Sequence, residues 1–121
     1  MTTPRARILI ADDVPEIVQL LRNFLSEQGY DVATAVTGIE ALNAVLTFRP
    51  DVILLDIQMP GLSGMRVLDA VRRAGLTVPV IVISARPPEI SEGLFAIFKK
   101  PFDLEAIART VAAAVNQSRP P

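Results

Sequence analysis

Short aliphatic runs alternate along this chain with longer segments whose apolar residues return at helical spacing. The run Arg7-Ile8-Leu9-Ile10-Ala11 predicts a strand. Val14, Ile17, Val18, Leu21, Phe24 and Leu25 then mark one face of a helix that Gly29 ends. Tyr30 to Ala35 alternates as a second strand, and Thr37 to Phe48 predicts a second helix closed by Arg49-Pro50. Val52-Ile53-Leu54-Leu55 is apolar without interruption, the pattern of a strand covered on both faces. Met65, Leu68 and Val71 mark a third helix stopped at Gly75, and Val78 to Ile83 reads as a fourth strand. Pro79 is tolerable there at a strand's first residue.

Regularity weakens beyond that point. Pro87-Pro88-Glu89-Ile90-Ser91-Glu92-Gly93 has room for one helical turn at most, and Leu94 to Phe98 predicts a fifth strand. Asp103 is a suitable N-cap for a last helix with Leu104, Ile107, Val111 and Val115 on one stripe. From Asn116 to Pro121 no core pattern remains, so the expected domain covers residues 5–116, with a frayed tail or linker start at 117–121. Five β-α units imply an α/β fold with a parallel sheet between two helical layers, the fourth helix shortened or absent. Such sheets bind ligands beyond the carboxyl ends of the strands, near the point where strand order reverses.

Composition narrows the chemistry. Of 121 residues, 50% are hydrophobic, enough for one core without disulfides or structural metal. Cysteine and histidine are both absent, which removes thiolate chemistry, Ser-His-Asp triads and His-ligated metals. The net charge of −1 points to neither a nucleic-acid nor a membrane surface. Met1-Thr2-Thr3-Pro4-Arg5 leads into an apolar run too short for a signal peptide, and no stretch approaches the roughly 20 apolar residues of a membrane span. A cytoplasmic protein is therefore expected.

Carboxylates, hydroxyls and amines must do the work. The first strand ends in Asp12-Asp13, the third in Asp56, the fourth in Ser84, and Lys99-Lys100-Pro101 follows the fifth. Acids at the opposite ends, such as Asp51, cannot join them. Carboxylates gathered on one rim repel, and a divalent cation relieves that repulsion. An all-oxygen donor set suits Mg²⁺ rather than zinc or copper. A carboxylate beside Mg²⁺ and a lysine ammonium is suited to attack phosphorus and form an acyl phosphate. Singly, each residue also has an ordinary reading: Asp12 or Asp13 caps the first helix ahead of Pro15, Asp56 is a solvated loop acid, Ser84 is a strand-end hydroxyl, and the lysines are solvated. Their joint placement after successive strands argues for a site.

The motifs Ile8-Leu9-Ile10-Ala11-Asp12-Asp13, Pro50 through Gly64, Pro79 through Ala85, and Lys100-Pro101-Phe102 strongly resemble the receiver domain of bacterial two-component response regulators, over about Arg7 to Val115. The resemblance implies the flavodoxin-like (βα)₅ fold, with strand order 2-1-3-4-5. It implies Asp56 as phospho-acceptor, with Mg²⁺ bound by Asp13, Asp56 and the Gln58 backbone carbonyl, and by Asp12 through water. Ser84 takes the position of the switch hydroxyl and Lys100 that of the family's lysine, leaving Lys99 an exposed neighbour. The implied partner is a sensor histidine kinase or a histidine phosphotransfer protein, and the implied state a monomer or weak homodimer. The function is then a phosphorylation-dependent signalling switch that catalyses only its own phosphorylation and dephosphorylation. Alternatives are a phosphoryl shuttle or sink in a phosphorelay, and the N-terminal receiver of a longer regulator with an output domain. A phosphohydrolase using an aspartyl nucleophile on the first strand would want Asp-x-Asp, whereas here the acids are adjacent.

Two features depart from the family pattern. Lys100 follows Ser84 by only 16 positions, fewer than usual, with the deficit where the fourth helix should lie. Ile97 stands where a switch aromatic is expected, and alternation should point Phe98 to the opposite face unless a loop adjustment brings it round. The usual output face is thus altered, leaving the first helix, the shortened loop or an unusual dimer contact as routes. Arg86 and Gln58, two residues beyond Ser84 and Asp56, should look onto the phosphoryl site.

Overall fold

Alternation between inward-facing aliphatic strands and amphipathic helices produces a single parallel sheet, seen in a computed structural model that describes residues 5–89 and 92–118. In chain order the elements are β1 (Arg7–Ala11), α1 (Pro15–Glu27), β2 (Asp31–Ala35), α2 (Gly38–Phe48), β3 (Val52–Leu55), α3 (Gly64–Arg73), β4 (Val80–Ser84), β5 (Ala96–Lys99) and α4 (Leu104–Ser118). The strands lie in the order β2-β1-β3-β4-β5, as expected of the flavodoxin-like arrangement. The register pairs Ile8 with Val32 and Val52, Leu54 with Ile81, and Ile83 with Phe98.

Successive strand residues point to opposite faces, so the aliphatic runs feed two cores. Leu9, Ile53, Leu55 and Val80 pack with Ala41, Val45, Val67 and Val71 of α2 and α3. Ile8, Ile10, Leu54, Ile81 and Ile83 pack with Leu21, Leu25, Ile107 and Val111 of α1 and α4. The three central strands are buried almost throughout, as their unbroken apolar runs require.

Several boundaries differ from the pattern-based expectation. β4 starts at Val80 because Pro79 has no N–H for the ladder, although its carbonyl accepts from the Ile53 N–H at 3.0 Å. β5 runs from Ala96 to Lys99, and Leu94 instead packs against the α2–α3 core. Phe98 lies in the α1–α4 core, so strand alternation prevails and no loop adjustment turns it round. Asp103 accepts from the Glu105 N–H at 3.2 Å, as an N-cap should. The helix it opens continues to Ser118, which corrects the frayed-tail expectation for Gln117 and Ser118. Nothing in that stretch breaks a helix before Pro120. Residues 119–121 lie outside the described part.

Between Ser84 and Ala96 the described residues form turns rather than a helix, as the short spacing implied; Ile90 and Ser91 fall outside the described residues. The connection is tied down from α3. The Arg72 guanidinium donates to the carbonyls of Leu76 at 3.1 Å, Val78 at 2.8 Å and Gly93 at 3.1 Å.

Candidate functional site

Strand hydrogen bonding carries each rim residue to its place. The Asp12 N–H donates to the Ala35 carbonyl at 3.0 Å, that of Asp56 to Ala11 at 2.8 Å, and that of Lys100 to Ser84 at 2.9 Å. Each N–H belongs to the first residue beyond its strand, so the side chains emerge together at the carboxyl ends. Asp12, Asp56 and Ser84 are only 2%, 3% and 0% exposed. Lys100 spans the two buried acids, its Nζ 2.8 Å from Asp12 Oδ2 and 3.1 Å from Asp56 Oδ2. A cis peptide bond joins Lys100 to Pro101.

The remaining oxygen of each buried acid accepts from backbone. Asp12 Oδ1 takes the Val14 N–H and Asp56 Oδ1 the Gln58 N–H, both at 2.9 Å. Val14, not either aspartate, is the N-cap of α1, with Pro15 in its first turn. The capping reading of Asp12 is thus replaced by a tight turn to Val14, which leaves the carboxylate facing the rim.

Burial opposes the charge on Asp12 and raises its pKa, although bonds from Lys100 and the Val14 N–H work against this. Burial also opposes the charge on Lys100, but hydrogen bonds and charges from Asp12 and Asp56 outweigh it, so its pKa is raised. Lys100 therefore stays charged near neutral pH. Asp13, on the exposed rim, brings a third carboxylate, and one oxygen from each of Asp12, Asp13 and Asp56 lies within 4.8 Å of the others. Three hard oxygen donors at that spacing, with one lysine among them, fit a divalent cation of the Mg²⁺ class. The expected separation also holds at the other end, where Asp51 Oδ2 accepts from the Arg7 N–H at 2.8 Å.

Ser84 takes part in a closed ring. Its hydroxyl donates to Gln58 Oε1 at 2.9 Å, Gln58 Nε2 donates to the Arg86 carbonyl at 3.2 Å, and the Arg86 N–H donates to Ser84 Oγ at 3.1 Å. Gln58 therefore reaches the rim as its spacing suggested. Arg86 is exposed and joins the ring through its main chain. Lys99 is exposed, as expected of the neighbour of Lys100.

Gly64 is a supporting residue to which sequence reasoning attached no role. Its N–H donates to the Ile57 carbonyl at 2.9 Å. A Cβ there would overlap the Asp56 carbonyl oxygen and stand 2.7 Å from Ile57 Cα. The start of α3 thus presses directly on the loop holding Asp56, with Ser63 as its N-cap. The signal was available in the Gly61-Leu62-Ser63-Gly64 turn, but the need for a missing side chain is visible only in the packing.

Residues 8–112 match the family model described as "Response regulator receiver domain". Over 117 residues the chain is 38% identical to the transcriptional regulatory protein KdpE of Mycobacterium tuberculosis, covering 92% of this chain and 51% of that protein. Over 121 residues it is 35% identical to the response regulator MprA of Mycobacterium avium, covering 94% of this chain and 53% of the relative. The chain thus spans about half the length of the curated relatives it matches. Among solved structures, the response regulator TrrA of Thermotoga maritima in complex with Mg²⁺-BeF superposes with a TM-score of 0.82 at 32% identity, over 90% of this chain and 98% of that one. The receiver domain of the Francisella response regulator 1452 gives 0.86 at 29% identity, over 95% of this chain and 100% of that one. Among the described residues no helix is long and apolar enough to cross a membrane. Fold, rim and likeness agree: this chain belongs to the response regulator receiver domain family.

Proposed function

We propose that Asp56 accepts a phosphoryl group and that the protein acts as a phosphorylation-dependent switch in a two-component system. One observation carries the reading: Asp56 is buried and shared between the Lys100 ammonium and the Gln58 N–H, in a cluster with Asp12 and Asp13. An Asp56 oxygen forms the bond to phosphorus while the phosphorus–nitrogen bond of a donor phosphohistidine breaks, the electron pair leaving on the imidazole. Lys100 faces the charge on the phosphoryl oxygens, and Ser84 offers its hydroxyl to one of them. Asp13, Asp56 and the Gln58 carbonyl would hold Mg²⁺ directly and Asp12 through water, and the bound ion supplies further neutralisation of phosphoryl charge. The Mg²⁺-BeF complex of TrrA supports that choice of metal.

The donor is a sensor histidine kinase or a histidine phosphotransfer protein in the cytoplasm. The chain acts as monomer or weak homodimer, through a unit that extends to the end of α4 at Ser118, and catalyses only its own phosphorylation and dephosphorylation. Likeness to a transcriptional regulatory protein about twice as long favours a receiver within a longer regulator over a phosphoryl shuttle.

Incubation with Mg²⁺ and acetyl phosphate, followed by mapping of the modified residue, tests the assignment. The expected product carries one phosphoryl on Asp56. Modification at Asp12 would overturn it in favour of a phosphohydrolase-like nucleophile.

A further inference from the structure

The ring joining Gln58, Ser84 and Arg86 has a definite polarity. The Arg86 carbonyl can only accept, so the carboxamide must turn Nε2 toward it and Oε1 toward Ser84. The single proton of the Ser84 hydroxyl is therefore committed to Gln58, while its oxygen receives the Arg86 N–H. Ser84 is 0% exposed, so water cannot take over as acceptor. Gln58 meanwhile donates its own N–H to Asp56 Oδ1. One residue thus has its backbone on the acceptor carboxylate and its side chain on the switch hydroxyl.

We propose that Gln58 is a latch: it holds the Ser84 hydroxyl, and with it the start of the β4–β5 connection, in the unmodified position until a phosphoryl group on Asp56 offers a competing acceptor. This rests on the phospho-acceptor reading above and adds a positioning residue to it. Its physical basis is a competition for one proton. Ser84 cannot donate to a phosphoryl oxygen and to Gln58 Oε1 together, so modification must break the ring. Arg86 contributes both its N–H and its carbonyl to that ring, so opening it frees the connection at residues 85 and 86. The far end stays tied to Arg72 through Gly93. The structural change is therefore centred on residues 85 and 86, at the start of the β4–β5 connection.

The latch stabilises the unmodified state, which gives the test its sign. Gln58→Leu removes the side-chain acceptor and leaves the backbone N–H and carbonyl in place. Gln58 is exposed, so the substitution leaves the core intact. Titration with Mg²⁺ and beryllofluoride, followed by backbone amide spectra, reads the effect. The midpoint should fall roughly twofold to tenfold, the range of one net hydrogen bond. The amides of Ala85 and Arg86 in the untreated variant should also move toward their wild-type bound positions. In a Ser84→Ala background the same substitution should change the midpoint by less than about twofold, because the proton at issue is gone.

An unchanged or raised midpoint with unmoved amides, beside a wild type that binds normally, overturns the latch alone. Equal effects in both backgrounds also overturn it, since Gln58 would then act on the site without Ser84. A wild type that takes up no beryllofluoride overturns the phospho-acceptor reading, and the latch with it.

Discussion

The acidic rim and the β4–β5 connection meet at Ser84 but are held in different ways. Asp12, Asp56 and Lys100 are fixed by main-chain hydrogen bonds that continue the parallel ladder, and their charges compensate one another within the pocket. The described residues of the connection form no helix and are held by side chains reaching in from elsewhere, Gln58 at the start and Arg72 near the end. A ladder bond is removed only by disturbing the sheet, whereas a side-chain tie can be exchanged without cost to the core. The proposed chemistry thus sits on the ladder-held part and the proposed response on the exchangeable part.

The comparison breaks most severely at Lys100. Lys100→Met would leave two buried carboxylates facing Asp13 with no cation among them, and should cost about 2–4 kcal/mol of stability at neutral pH without metal. Urea denaturation measures that loss, and added Mg²⁺ should recover part of it. The pH dependence has a fixed sign. Because the folded-state pKa of Lys100 is raised, its contribution is complete below the unfolded value and fades as pH rises through the folded one. Wild-type stability should therefore decline above the ordinary lysine range, and the Lys100→Met variant should lack that decline.

Gly64→Ala attacks the rim through packing instead of charge. The new methyl must displace the backbone at Asp56 and Ile57, at a cost of about 1–3 kcal/mol. Phosphorylation by acetyl phosphate should slow as well, since the shifted carbonyl belongs to Asp56, the proposed acceptor. An alanine variant with unchanged stability and rate would show that the loop yields freely.

Arg72→Ala tests the other region. Loss of its bonds to three carbonyls should cost about 1–2 kcal/mol, and amide exchange at residues 92–95 should quicken. The beryllofluoride midpoint should stay within about twofold of wild type, because no rim residue is touched. A large change in that midpoint would mean that the two regions are coupled beyond Ser84.

The smallest effect is expected at Asp12. Its folded pKa is raised chiefly by burial, so its charge is a liability without metal, and stability falls as pH rises through the folded value. Asp12→Asn should raise the melting temperature of the metal-free protein at pH 7 by a few degrees while weakening Mg²⁺ binding. A lowered melting temperature would mean that its bond to Lys100 outweighs the burial cost.

Much of this was legible in one dimension. The apolar runs at β1, β3 and β4 announced buried parallel strands, and the residues just beyond them announced the rim. The period-2 pattern also turned Phe98 to the face opposite Ile97, and it packs in the α1–α4 core. These inferences succeed because strand periodicity and connection handedness are local rules with few exceptions. The short interval between Ser84 and Lys100 likewise foretold that the described residues between Ser84 and Ala96 form no helix.

Other features depend on contacts between distant segments. That Gly64 must lack a side chain, that Arg72 staples the connection through Gly93, and that Gln58 presents its oxygen to Ser84 and its nitrogen to Arg86 follow from no local pattern. Each needs residues brought within hydrogen-bond or van der Waals reach by the fold. Residue identities and strand order determined where a carboxylate, a hydroxyl and an amine would meet. Tertiary structure decided which hydrogen bonds each of them spends there, because that depends on directions and distances fixed only when the strands are packed.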